Sequence, residues 1–427
     1  MTSELTPTGS DRPGSLGPLP QFDPFADGFA ANPYPQYREL STRNPVHRTP
    51  LGIWTVFSYD DCARLLRDPT LSVEDTSVRG ANPQAELRAQ AFGERALRGR
   101  RGILNIDPPD HTRIRQIMQK VFTPRAIEQL GDRVQALTDA AIDDALGQER
   151  DGGGPIDLIG ALAFPLPFQV ISEMLGMPDG DRDQLREWSH TAVLFLEPTL
   201  APFHLDEIAA ASDRMLDYLL DAIEWKRANP ADDLLTALVD AEHEGERLST
   251  DELVDQVRLL FIAGHETTVN LIGNGTLALL RNRGELERWR RDPSIGVQAV
   301  DELLRYDSPV QFSRRVTTAD LDLGEHGTAE AGAFVILGQG AANHDPAHWG
   351  DDADSLDLTR PGAARHLSFG GGIHHCLGAA LARLEGRVAI GTLVQRCPQL
   401  ALAVDEPAWN GRMILRGLES LPVSLTG

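Results

Sequence analysis

The chain has 427 residues, with 63 Asp and Glu against 40 Lys and Arg, a formal net charge of −23. So acidic a chain repels a phosphate backbone, which removes nucleic acid as an expected partner, and no polybasic segment suits an anionic membrane. It has no run of about 18 apolar residues that could cross a bilayer. Cys62, Cys376 and Cys397 are too few and too widely spaced for a disulfide framework, so the expectation is a soluble protein of the reducing cytoplasm.

Residues 1–20 are rich in Pro, Gly, Ser and Thr, lack the basic start and apolar centre of a signal peptide, and are expected to be a disordered leader. Short helical patterns follow at 32–40 and 59–66, with WTVFS (54–58) between them as a strand. The interval 74–103 mixes glycine, charge and weak periodicity, the character of a binding loop. In DPPDHTRIRQIMQKVFTPR (107–125) the Pro pair ends a loop, Asp110 can cap a helix, and His111 and Arg115 share a face at i and i+4. Helices are expected over 125–147 and 155–176, with glycines at 152–154 as the break. WSHTAVLFLEPTLAPFHL (188–205) is apolar and interrupted by Pro198 and Pro202.

Ser249 and Glu252 form a capping-box pattern opening a helix expected to run to Arg283, with Gly284 ending it. At about 1.5 Å per residue it would span roughly 50 Å and act as a central spine. Its apolar stripe is broken by AGHETT (263–268), and buried polarity needs a reason. Thr side chains bonding back to preceding carbonyls are one; proton handling by Glu266 and Thr267, with Gly264 leaving room for a cofactor, is another. Pro293 and Pro309 bracket a further helix with Glu302 and Arg305 at i and i+3, alone no more than a surface ion pair. The β-branched runs that follow suggest small strands, and RMILRGLESLPVSL near the end suggests a hairpin.

SFGGGIHHCLG (368–378) has four glycines around Cys376, and from Leu377 onward a helical period begins. Glycine lets the backbone adopt positive φ and come close to a bulky planar group. A cysteine at a helix start has its thiolate favoured by orphan N–H groups, and one such thiolate suits an axial bond to heme iron. A lone cysteine is also a common small core residue. Zinc at His374, His375 and Cys376 would require adjacent ligands to close a tetrahedron with no CxxC elsewhere.

FGGGIHHCLG resembles the cysteine-ligand loop of the cytochrome P450 superfamily, matching it at Phe369, Gly372, His374, Cys376 and Gly378. AGHETT, DPPDHTRIR and the Glu302/Arg305 pair resemble that family's other signatures, and the resemblance covers roughly residues 22–427. It implies a mostly α fold, a helical bundle around a buried heme b with small β-sheets, as a single domain over 21–427. It further implies Cys376 as iron ligand, and His111, Arg115, Arg315 and His374 at the heme propionates, with Arg314 as the alternative to Arg315. Phe369, Gly264 and Gly378 would complete the cofactor site, and Glu266 and Thr267 would be the catalytic acid and alcohol. Val310, Gln311 and Phe312 would line the substrate side, and Met413 and Ile414 would close it. One departure stands out. Ser355 occupies the place where the family often has an arginine partnering the Glu/Arg pair, and His344 or a backbone carbonyl is the expected substitute.

The implied activity is insertion of one oxygen atom from O2 into a small hydrophobic substrate, by C–H hydroxylation or epoxidation. The chain carries no GxGxxG flavin or NAD fingerprint, so electrons from NAD(P)H are expected through a separate ferredoxin and ferredoxin reductase. Arg113, Arg125 and Arg365 are the expected docking residues, and the protein is expected to be a monomer. A peroxide-driven oxygenase and a heme-based sensor share the same resemblance.

Overall fold

The long helix organises the molecule. In the computed structural model, which describes residues 19–79, 83–93, 102–120, 122–177, 182–243 and 245–427, the helices are α1 (Tyr34–Arg43), α2 (Tyr59–Arg67), α3 (Pro83–Phe92), α4 (Asp110–Gln119), α5 (Pro124–Gln129), α6 (Gly131–Gly152), α7 (Pro165–Met174) and α8 (Arg182–Ala192). They continue as α9 (Leu205–Ala228), α10 (Leu234–Asp240), α11 (Thr250–Arg281), α12 (Arg283–Arg291), α13 (Gly296–Tyr306), the short α14 (Gln339–Ala342) and α15 (Pro346–Trp349), and α16 (Ala379–Arg396). The expected leader lies, up to residue 18, outside the described residues, as do parts of the 74–103 interval.

The capping box forms as the sequence requires. Ser249 Oγ accepts the Glu252 N–H, and Glu252 accepts the Ser249 N–H in return. The far end differs. α11 stops at Asn282, and Gly284 falls inside α12, because the Asn282 N–H and side chain close on the Ala278 carbonyl before the glycine is reached. Asp110 likewise is the first residue of α4 and makes no side-chain cap; Pro109 holds the cap position.

Two apolar cores meet along α11. Leu253, Val257 and Phe261 pack with α7, α9 and α10, while Val269, Leu271, Ile272 and Leu279 pack with α6, α13 and α16. AGHETT occupies the gap between them. Burying this much aliphatic surface, at about 25 cal/mol per Å², is what fixes a helix of this length inside the protein.

The sheets are small. A five-stranded sheet runs in the order Val46–Arg48, Trp54–Val56, Phe334–Gly338, Phe312–Thr317, Leu71–Ser72. Its one parallel pairing sets Trp54 beside Val335. The expected terminal hairpin is reduced to a Trp409–Leu418 bridge around a loop, and Pro422–Ser424 pairs instead with Ala401–Leu402 and Ile156–Asp157. No helix among the described residues is long and apolar enough to cross a membrane.

Candidate functional site

The cysteine loop is built by close backbone contact. Gly370 and Gly372 have φ of +69° and +64°, and a Cβ on Gly372 would meet the Leu66 carbonyl at 2.8 Å, so glycine is required there on both counts. The Cys376 N–H donates to the Phe369 carbonyl at 2.9 Å, closing the loop. Gly378, the N-cap of α16, has φ −86° and open space where a Cβ would point. Cys376 is surrounded by protein, and that burial pushes its thiol pKa up, against the pull of the Gly378 N–H, Arg115 and Arg383. It nevertheless keeps accessible surface. The expected stabilisation of the free thiolate by the helix start is therefore outweighed by desolvation.

An ion-pair cluster anchors this loop. Glu302 and Arg305 of α13 are both 0% exposed, and Arg305 grips the carboxylate through Nε at 2.7 Å and Nη2 at 2.8 Å. The third partner is Arg360, whose Nε reaches Glu302 at 3.2 Å. His344 bonds Asp354 and the Tyr306 carbonyl instead, and Ser355 contributes only its carbonyl to Arg305 and Arg360. Arg305 also donates to the Asn343 carbonyl at 2.8 Å, while the Asn343 side chain holds the Leu367 N–H and Ser368 Oγ. The buried pair thus reaches the first residues of the cysteine loop in two steps.

Several site groups lack an acidic hydrogen-bond partner among the described residues, although the Asp107 charge is felt by His111 and Arg315. His111 is buried with neither ring nitrogen hydrogen-bonded, and His374 Nδ1 is likewise unpartnered among the described residues. Their rings lie 4.4 Å apart. Burial first, then His111 and nearby arginines, depress His374 to about 3, so it is a neutral imidazole. Arg315 is buried, bonds only the carbonyls of Arg314 and Leu66, and is pushed down to about 10 by desolvation. Arg115 donates to the His375 carbonyl at 2.7 Å, and Arg314 pairs with Asn105 at 3.0 Å. Buried donors of this kind call for anionic acceptors. A heme with two propionates fits them: Cys376 would take the iron, and His111, Arg115, Arg315 and His374 the carboxylates. Phe369 lies 4.6 Å beneath the Arg383 guanidinium, beside the loop.

On α11, Leu260, Ala263, Gly264 and Thr267 keep accessible surface at i, i+3, i+4 and i+7, while residues 268–280 are all buried. That stripe lies where the two cores part. A Cβ on Gly264 would also lie close to the Ile171 side chain of α7, 3.1 Å away, so the glycine eases the packing of these two helices. The Thr267 hydroxyl donates to the Ala263 carbonyl at 3.0 Å. Glu266 is 7% exposed and forms an ion pair with Arg412 at 2.9 Å. Burial raises its pKa, but His190, His265 and Arg412 together hold it well below the usual carboxylate range.

Some assignments move. Phe312 packs with Phe29, Tyr37, Phe57 and Met413 in an apolar cluster, and Gln311 is buried against Ser308 and Tyr34; both are core rather than pocket lining. Val310 is half-buried and bridges Leu415. The N–H groups of Met413 and Ile414 both donate to Glu197. Arg113 is tied to Glu252 at the start of α11, whereas Arg125 and Arg365 are exposed. Sequence reasoning missed Arg412, Glu197 and His190. Its one available signal was Glu197, a lone charge inside the apolar run VLFLEPTL.

The family model for "Cytochrome P450" matches residues 41–292 and 297–408. The chain is 39% identical to cytochrome P450 107B1 of Saccharopolyspora erythraea, over 96% of this chain and 99% of that protein. It is 40% identical to a vitamin D(3) 25-hydroxylase of Pseudonocardia autotrophica, over 99% and 98%. Among solved structures it resembles the bacillaene polyketide synthase cytochrome P450 PksS of Bacillus subtilis, with a TM-score of 0.83 and 36% identity, covering 95% of this chain and 100% of that one.

Proposed function

The chain belongs to the cytochrome P450 family and is a heme-dependent monooxygenase; from that premise we propose that it hydroxylates a C–H bond of a bulky hydrophobic substrate of secosteroid or polyketide type. Relatives named for vitamin D(3) and for a polyketide synthase support that class. Electrons would come from NAD(P)H through a ferredoxin and its reductase, docking near Arg125 and Arg365. Arg113 leaves the expected docking set because Glu252 already holds it.

Bound heme supplies the iron at which dioxygen is activated. Cys376 would hold the iron as its thiolate, with Arg115, Arg383 and the Gly378 N–H drawing the sulfur toward its ionised form. Thr267 has its hydrogen committed to Ala263, so its oxygen presents lone pairs and accepts a proton-bearing group from the accessible side of α11. Glu266, next along the helix, would supply protons. The surrounding aliphatic cores keep the space dry, which protects the reaction from side hydrolysis.

The observation that carries this reading is Cys376, held with accessible surface in the glycine loop that leads into α16, a helix packed on α11. Cys376→Ser should abolish the thiolate-type spectrum of the reduced carbon monoxide complex. Persistence of that spectrum would refute the assignment. Spin-state titration of the ferric enzyme with secosteroids and macrolactones should then show a shift for at least one class.

A further inference from the structure

Glu266 is a buried carboxylate with one oxygen beside groups that do not hydrogen-bond it. Oε2 takes the Arg412 guanidinium at 2.9 Å, and Oε1 has no hydrogen-bond partner. Two imidazoles stand beside Oε1: His265 Nε2 at 3.6 Å and His190 Nδ1 at 3.7 Å. The His265 side chain is fully buried, with Nδ1 2.6 Å from the Phe261 carbonyl and Nε2 3.3 Å from Ser189 Oγ. A carbonyl only accepts, so Nδ1 carries the hydrogen and that ring is closed off from water. The His190 side chain is 54% exposed. Of the two imidazoles it alone joins Glu266 to solvent.

Arg412 is fixed from behind. Glu197, 0% exposed, accepts the N–H groups of Met413, Ile414 and Leu415 at 2.7, 2.8 and 2.8 Å. This clamp sets the backbone from which the guanidinium projects, and Nη2 donates toward the His190 ring, 3.3 Å from Nδ1 and 3.4 Å from Nε2, and toward the His190 carbonyl at 3.5 Å, contacts that the protonated ring has to give up. The charged and titratable groups facing Glu266 are therefore Arg412, His190 and His265, with Glu197 behind Arg412.

We propose that His190 is the solvent-side proton donor to Glu266, and that Arg412 is the positioning residue that holds Glu266 turned to receive the proton. The inference rests on Glu266 acting as the proton source described above. In the transfer the N–H bond of the His190 imidazolium breaks and an O–H bond forms at Glu266 Oε1. The imidazole regains its proton from bulk water, no electron moves, and Glu266 passes the proton on toward Thr267.

The test uses heme-loaded His190→Gln, Glu266→Gln, Arg412→Gln and Arg412→Lys, each first checked for the carbon monoxide spectrum and the substrate spin shift. His190→Gln should keep both spectra, while coupling of NAD(P)H oxidation to product falls by about 10-fold or more. It should also change the solvent deuterium isotope effect on coupling, which a merely structural role of His190 would leave alone. Independently of turnover, the infrared carboxyl band of Glu266, identified by its loss in Glu266→Gln, should be ionised in the wild type and appear protonated in Arg412→Gln. If Arg412→Gln takes up no heme, Arg412→Lys should keep the band ionised but lower coupling, since lysine cannot reach Glu266 and His190 together. Wild-type coupling and solvent isotope effect in His190→Gln, with Glu266→Gln uncoupled, would overturn the inference alone. Wild-type coupling in Glu266→Gln would instead overturn the proton-source reading beneath it.

Discussion

Two buried carboxylate–guanidinium clusters serve this molecule in opposite ways. Around Glu302 both oxygens are filled, by Arg305, Arg360 and the Asp357 N–H, and Arg305 spends its remaining donors on the carbonyls of Asn343, Ala353 and Ser355. Around Glu266 one oxygen is bonded and the other waits beside two imidazoles, one of them open to water. A fully satisfied network has no reason to change its protonation and acts as a fastener; a half-satisfied one can take and release a proton. The difference lies in the count of partners, since both carboxylates are buried.

The largest expected effect comes from breaking the satisfied cluster. Glu302→Gln leaves Arg305 buried without a carboxylate, while Arg360 keeps Asp352, and such a loss costs about 3–5 kcal/mol. Because Asn343 links this cluster to Leu367 and Ser368, heme content of the purified protein should fall with the urea midpoint. A variant of wild-type stability and full heme content would remove the distinction between the clusters.

Glu385 sharpens the comparison from a third direction. It is buried on α16 with neither oxygen hydrogen-bonded, and burial pushes it up to about 8, Thr268 pulling the other way. Its folded pKa lies above the unfolded value, so the folded protein keeps a proton that the unfolded chain loses between about pH 4.5 and 8. Stability should therefore decline as pH rises through that window, with a slope of at most about 1.4 kcal/mol for each step of one in pH. Glu385→Gln, which carries no charge, should flatten the decline and gain up to about 5 kcal/mol over wild type above pH 8. Parallel stability–pH curves for the two proteins would mean that Glu385 is ionised in the folded state after all.

The smallest effect should be at Thr267. Thr267→Ala removes one hydroxyl bonded only to the Ala263 carbonyl, so folding and substrate binding should hold. Coupling should drop about tenfold, with peroxide released in place of product, equivalent to about 1.4 kcal/mol. Unchanged coupling would separate Thr267 from the proton path and leave Glu266 to act without it.

Much of this was legible in the chain, for local reasons. The capping box at Ser249 and Glu252, the i, i+3 spacing of Glu302 and Arg305, and the shared helical face of His111 and Arg115 depend on residues a turn apart, and helix geometry fixes such neighbours before any packing. The end of α11 was misplaced because asparagine and glycine both stop helices and stand two residues apart here. Phe312 was assigned to the pocket although it belongs to the core, since apolar residues serve either place.

The sequence by itself determined the cysteine loop and its glycines, the polar break in a long apolar helix, and the order of elements around them, because each is written in contiguous residues. Only the tertiary structure decided that Arg360, fifty-eight positions from Glu302, completes the anchoring cluster. It alone set Arg412 and His190 against Glu266, 146 positions and 76 positions away. No local rule of backbone geometry relates such residues. They meet because burying the two cores on α11 leaves one gap, and the charges that fall into it must find one another or remain unpaired.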